Sequence, residues 1–100
     1  MVTVGLLVRV EAKPGKEDAV AEFLTSLQAT VERESRTTAW FAIRFGPTSF
    51  GVFDAFPDDE SRRAHMASEV AAALIAGMDE LLASSPSYEE VDLLGSKLPG

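Results

Sequence analysis

The chain begins with VTVGLLVRVEA, in which Val4, Leu6, Val8 and Val10 alternate with Gly5, Leu7 and Arg9. Alternation at period two, with many β-branched residues, predicts a strand over 2–12 that stops at the turn signal Lys13-Pro14-Gly15. Beyond the turn the period changes. Val20, Phe23, Leu24, Leu27 and Val31 recur at the three-and-four spacing that lines one side of a helix, with Glu22, Glu32 and Arg33 opposite, so a helix is predicted over 16–34. TTAWFAIRF (37–45) and FGVFDAF (50–56) flank Gly46-Pro47-Thr48-Ser49 and read as a hairpin closed by a four-residue loop. Pro57 ends the third strand, and Asp58 or Asp59 is placed to cap a short helix over 59–67 by accepting free backbone N–H groups. Ser68 offers a second cap. From there Val70, Leu74, Met78, Leu81 and Leu82 carry a helical stripe to the stop at Ser84-Ser85-Pro86, as a separate helix or as part of one kinked element. YEEVDLLGSKL (88–98) reads as a weaker last strand.

The order βαββαβ is that of an α+β, ferredoxin-like arrangement, an antiparallel sheet with its helices on one face, formed here by one domain over 1–100 with its core in 2–98. A sheet covered on one side should alternate apolar and polar positions. In this chain Leu7 joins Gly5 on the second face of the first strand, and aromatics fall on both faces of the second and third. Two helices cover only one face. A second copy packed sheet against sheet is the expected cover for the other, which makes the protein a homodimer.

Composition narrows the class. At 46% hydrophobic content, 100 residues suffice for one core. No apolar run approaches the roughly 20 residues needed to cross a bilayer, and no secretory leader pattern opens the chain, so no membrane association and a cytoplasmic location are expected. With no cysteine, the chain has no thiolate nucleophile, disulfide or Cys-based zinc site. A net charge of -7, with nine basic residues scattered among acidic ones, argues against nucleic acid as a partner. The Arg62-Arg63 pair, beside Asp58, Asp59 and Glu60, reads as a solvated helix face. The chain has no nucleophile elbow, dinucleotide fingerprint or phosphate loop. One histidine and no cysteine leave no metal set without ligands from both subunits or carboxylates alone, and no metal site is expected.

What remains is one acid and one base. A four-residue loop sets Phe41 opposite Asp54 and Ile43 opposite Val52, placing Asp54 among apolar neighbours and Trp40, Ala42 and Arg44 on the other face. A carboxylate there is costly without a partner. His65, on the helix that follows, is the nearest titratable candidate, and an Asp that fixes one imidazole tautomer makes a histidine a general base. Phe23, Phe41 and Met78 then form a wall for an aromatic substrate. The plainer alternatives are a partly exposed, satisfied His65 and an Asp54 that caps the helix or pairs with an arginine. Trp40 is a pocket residue or a dimer-face core residue. Tyr88 donates into the site or merely packs. Arg44 binds an acidic substrate group or forms a surface ion pair.

The βαββαβ order, the strand Thr37 to Trp40 with threonine and tryptophan at its ends, and FGVFDAFPDDESRRAHM (50–66) together resemble the antibiotic biosynthesis monooxygenase superfamily, most of all its small quinol monooxygenases. The resemblance spans about 2–98. It implies a dimeric α+β barrel with a pocket between helices and sheet in each subunit. It further implies oxidation of quinols or polyketide phenols by O₂, often without metal or flavin, while one branch degrades haem. Carried over by position, the haem branch's asparagine falls near Val8, its tryptophan at His65 and its iron ligand at Ile75. This chain has no asparagine at all and an apolar residue at the ligand position, so haem cleavage is not expected. The resulting expectation is a cofactor-independent monooxygenase acting on a small aromatic or quinol-like substrate with O₂. The alternative is a noncatalytic protein of the same fold that binds such compounds or serves in assembly.

Overall fold

The computed structural model describes residues 1–99, apart from the side chain of Val70. β1 (Val4–Glu11) turns Leu6, Val8 and Val10 inward, where each is almost fully buried, and leaves Leu7 and Arg9 on the opposite face. Gly15 closes the following turn with φ of 84°, a left-handed conformation that glycine adopts without steric cost. The predicted first helix is interrupted. α1 (Glu17–Ser26) and α2 (Gln28–Val31) are separated at Leu27, where Thr25 Oγ1 donates to the Ala21 carbonyl at 2.9 Å and Ser26 Oγ to that of Phe23 at 2.6 Å. Such side-chain donors compete with backbone N–H groups and weaken the helix locally. The stripe survives the break, since Val20, Leu24, Leu27 and Val31 are all buried.

β2 (Ala39–Arg44) and β3 (Ser49–Phe56) form the hairpin, α3 (Asp59–Met66) and α4 (Glu69–Met78) follow, and β4 (Ser87–Asp92) completes the chain. Asp58 caps α3 by accepting the Ser61 N–H at 2.8 Å, and Ser68 caps α4 through the Ala71 N–H at 3.4 Å. The strands pair antiparallel in the order β2-β3-β1-β4, the ferredoxin-like topology. The last strand ends six residues before its predicted limit of 98, since Asp92 already pairs with Val4, the first residue of β1, and only the Leu93 N–H continues the ladder, to the Thr3 carbonyl at 2.9 Å. Among the described residues no helix is long and apolar enough to cross a membrane.

The hairpin corrects the expected register. Phe45 N–H bonds to the Ser49 carbonyl at 2.8 Å, so the loop proper is 46–48, one residue shorter than predicted. Trp40, not Phe41, lies opposite Asp54, and Phe41 faces Phe53 on the outer side. A one-residue slip moves every side chain of a strand to the other face. Four side chains hold the tighter loop. Glu11 accepts from Thr48 Oγ1 at 2.5 Å and Ser49 Oγ at 2.6 Å, which holds its carboxyl below the usual range. Arg44 donates to the carbonyls of Gly46 and Pro47, and its guanidinium lies over the Phe50 ring, so among the described residues it is engaged within the hairpin and not in an ion pair.

Arg62 also departs from expectation. It is only 8% exposed and donates to the carbonyls of Gly5 at 3.0 Å and Val91 at 3.2 Å while pairing with Asp59 at 2.8 Å. Its guanidinium thereby ties α3 to the β1–β4 edge instead of lying in solvent. The core between helices and sheet centres on Val20, Phe56 and Met78, none of which retains accessible surface. Burial of a side chain such as Phe56 stabilises by about 1.5–3 kcal/mol. On the outer face, Phe41, Phe53 and Leu7 form a cross-strand row without cover from this chain, with Phe41 51% exposed.

The close approach of β3 to β1 can be tested at Gly51. A Cβ there would lie 2.5 Å from the Val8 carbonyl oxygen and 2.9 Å from Phe45 Cε2, whereas one at Gly46 would meet nothing. Gly51→Ala is expected to lose about 1–3 kcal/mol in urea unfolding, the usual range for overpacking. Gly46→Ala should stay within about 0.5 kcal/mol of the parent.

Candidate functional site

Asp54 stands in the middle of the sheet's helix-facing side, with Leu6 of β1 and Trp40 of β2 as its cross-strand partners. It has no accessible surface. α3 begins immediately after the short Pro57-Asp58 connection and turns Ser61, Arg62 and His65 inward, three and four residues apart on one face. His65 therefore comes down onto Asp54. Its Nε2 lies 2.7 Å from Asp54 Oδ2, and its ring is 7% exposed. That approach lies off the ring N–H direction, which leaves both Asp54 oxygens without an aligned donor.

A second carboxylate, which the sequence reading assigns only to a helix end, completes the group. Glu34 Oε2 lies 2.8 Å from His65 Nδ1, and Thr37 Oγ1 donates to the same oxygen at 3.3 Å. His65 is thus held between two acids and is more buried than a partly exposed packing residue. Phe56 closes the group from the apolar side, its ring centroid 5.2 Å from the imidazole. The placement of Glu34 depends on how the α2–β2 connection returns to the sheet, for which no spacing in the sequence is a signal.

Burial alone would push the His65 pKa down, but Asp54 and then Glu34 outweigh it and raise it above the ordinary value of 6.5. Burial raises the Asp54 carboxyl above its usual range, against the opposing pull of His65. Both shifts run the same way. The cluster carries one net negative charge when both acids are ionised and His65 is protonated, and Asp54 and His65 each hold a proton more tightly than the separate groups would. His65 also sits in the last turn of α3, where a cation is favoured by the helix carbonyls.

The cluster forms part of the wall of an apolar cavity of about 230 Å³. Leu6, Val8 and Val52 line it from the sheet, and Leu27 and Leu74 from the helices. Trp40 and Tyr88 contribute aromatic surface, and exposed Met66, Ile75 and Tyr88 mark its mouth. None of Phe23, Phe41 and Met78, the expected wall, borders this space, whereas Trp40 does. Phe41 is turned outward by the register, Phe23 packs against α4 at Gly77, and Met78 is consumed in the core. Val8 and Ile75 both border the cavity and give it apolar surface. Among the described residues no group of three potential ligands is placed to hold a metal ion; Asp54 and Glu34 approach opposite nitrogens of one ring.

The raised His65 value has a consequence for stability. A group whose folded pKa exceeds its unfolded one contributes stability that is complete below the unfolded value and is lost as pH rises through the folded value. The melting temperature of the protein should therefore fall above about pH 6.5. His65→Gln should remove this component, and parallel pH–melting curves for the two proteins would contradict it.

No family model and no curated protein matches the chain. Solved structures do. The NE2512 protein of unknown function from Nitrosomonas europaea is 53% identical, with a TM-score of 0.96, over 100% of this chain and 97% of that one. A provisionally named antibiotic biosynthesis monooxygenase from the same organism is 16% identical with a TM-score of 0.81, over 92% of this chain and 99% of its own. Another so named, from Caulobacter crescentus, is 18% identical with a TM-score of 0.80, over 94% and 92%. The chain thus has the fold of the antibiotic biosynthesis monooxygenase superfamily and belongs to one family with the Nitrosomonas europaea protein NE2512.

Proposed function

We propose that the protein is an oxygen-dependent monooxygenase for a small aromatic compound bearing an acidic hydroxyl, of the quinol or polyketide-phenol kind, working without metal or flavin. The observation that carries this reading is a fully buried carboxylate with an unpartnered oxygen, Asp54 Oδ1, in the wall of a cavity otherwise built from apolar and aromatic side chains. An aromatic hydroxyl supplies both the missing donor and a ring to fill the cavity. The names of the structural neighbours support the reaction class.

The geometry favours roles opposite to those expected from the sequence. Both nitrogens of His65 already face acids, so Asp54 Oδ1 is the better placed acceptor for the hydroxyl proton, with the imidazolium stabilising the charge. Loss of that proton gives an electron-rich ring anion, which passes one electron to O₂. Recombination forms a carbon–oxygen bond, and return of the proton from Asp54 gives a ring hydroperoxide. Loss of water leaves a quinone carbonyl. One oxygen atom ends in product and the other in water, with both reducing electrons drawn from the substrate. The apolar wall serves this chemistry by excluding water while the radical pair recombines.

The second reading, a noncatalytic binding protein, draws support from the same engagement of both His65 nitrogens, which leaves the ring no free base. Oxygen uptake with reduced menadione or a hydroxynaphthoquinone separates the two. Uptake above the protein-free rate is expected, falling about 10²-fold or more in Asp54→Asn, the usual contribution of a positioned acid or base. Tight binding with no uptake would establish the second reading instead.

We further propose a homodimer through the outer sheet face. The support is the row Phe41, Phe53 and Leu7, which leaves apolar surface open along the sheet. Phe41→Glu, at a side chain that makes little of the subunit's own core, is expected to convert a dimer to a folded monomer in sedimentation analysis. A parent protein that sediments as a monomer would refute it.

A further inference from the structure

We infer that Glu34 is the route by which the buried Asp54–His65 pair exchanges protons with water, on the side of the imidazole away from the cavity. His65 borders two spaces. One is the apolar cavity, and the other is an open surface recess of about 270 Å³ formed by Glu34, Thr37, Ala64 and the residues 33, 35 and 36 of the α2–β2 connection. Asp54 has no accessible surface, so its polar way out is through the ring. Glu34, 20% exposed in its side chain, belongs to the recess and touches Nδ1 at 2.8 Å, while Nε2 faces Asp54 at 2.7 Å. The three groups thus form a continuous line from cavity wall to solvent. An imidazole suits its centre because it can gain a proton at one nitrogen and lose one at the other.

The surroundings keep this line directional. The groups facing His65 are Asp54 and apolar Phe56 from β3, with Glu34 and Thr37 from the connection. Thr37 donates to the Glu34 oxygen that meets Nδ1 and so fixes its position. Arg33 and Arg36 line the outer recess beside Glu34. When a hydroxyl ligand ionises in the cavity, its O–H bond breaks as an O–H bond forms at Asp54 Oδ1. The Nδ1–H bond of His65 breaks as that proton passes to Glu34 Oε2 and on to water. Once both transfers are complete the cluster has its original net charge, having gained one proton from the ligand and released one to water. The reverse passage recharges His65 when Asp54 returns its proton. Glu34 is thus a positioning and relay residue that never touches the ligand. Its use in turnover rests on the role proposed above for Asp54, whereas the exchange itself does not.

The chain has one histidine, so ring N–H signals in nitrogen-15 NMR belong to His65 without ambiguity. Exchange of Nδ1–H with water should slow about 10²-fold in Glu34→Gln, the lower end of what a positioned base supplies, when each protein is measured at half-protonation of its ring. Added formate, which fits the recess, should restore fast exchange to Glu34→Ala. Slowed exchange in Glu34→Gln well below its own melting temperature, together with rescue of Glu34→Ala by formate, separates a relay from a merely structural role. Unslowed exchange in Glu34→Gln, or exchange in the parent limited by global unfolding, would overturn the inference. If the parent takes up no oxygen with phenolic substrates, the proposed reaction fails while the exchange measurement still decides the route. If it does take up oxygen, Glu34→Gln should lower kcat and leave KM unchanged.

Discussion

A carboxylate with no access to water lies at the centre of the helix-facing side of the sheet, and much of the surrounding structure is what makes Asp54 tolerable there. An ionised acid buried alone would cost many kcal/mol or else keep its proton. His65, when protonated, answers this with a positive charge at 2.7 Å, and Glu34 faces the ring's other nitrogen at 2.8 Å. Each partner justifies the next. The outermost one, Glu34, reaches solvent and needs no further compensation. Breaking such a buried pair by removing one member typically costs about 3–5 kcal/mol, whereas apolar replacement of the whole group is often neutral. Stability alone is therefore a poor reason for the cluster to be present, and an unsatisfied carboxylate bordering an apolar cavity is a cost that binding or chemistry would account for.

The order of elements, the stripe through Val20, Leu24, Leu27 and Val31, the caps at Asp58 and Ser68, and the two-faced character of β1 are legible in the sequence because each rests on local spacing. The meeting of Asp54 with His65 is legible as well, since only a capped turn separates β3 from α3. Three features are not. The hairpin loop differs by a single residue from its predicted length, and turn statistics cannot resolve that difference when Glu11, on another strand, helps to set it. Arg62 sits in an acidic run that looks solvated, yet its acceptors are carbonyls in β1 and β4, 57 and 29 residues away. Glu34 meets His65 across 31 residues, through an irregular connection whose path carries no periodic signal. In each case the missing information is a long-range polar contact, which hydrophobic patterning does not encode.

Family resemblance has the same limit from the other direction. Neighbours at 15–20% identity reproduce the fold over more than nine-tenths of the chain, because sheet order and core packing tolerate wide substitution when pattern and volume are kept. The chemistry of a cavity tolerates far less. Val8 and Ile75 fill the wall with hydrocarbon, so the architecture here presents one acid, one imidazole and two aromatic side chains to whatever binds. The fold fixes where a ligand sits, and a handful of side chains decide what it is.

The hairpin therefore belongs to the site although no residue of its loop reaches the cavity. Glu11 accepting from Thr48 and Ser49, and Arg44 donating to Gly46 and Pro47, fix the loop at 46–48. With one more residue in that loop, Phe41 would turn inward beside Asp54 and Trp40 would join the outer face. The indole is the larger ring and carries a hydrogen-bond donor, whereas phenylalanine offers none. The same shift would replace the outward row of Phe41, Phe53 and Leu7, so the surface available to a second subunit and the wall available to a ligand are set together. Polar contacts at the far end of the hairpin thus select both, because a period of two leaves a strand only two ways to face.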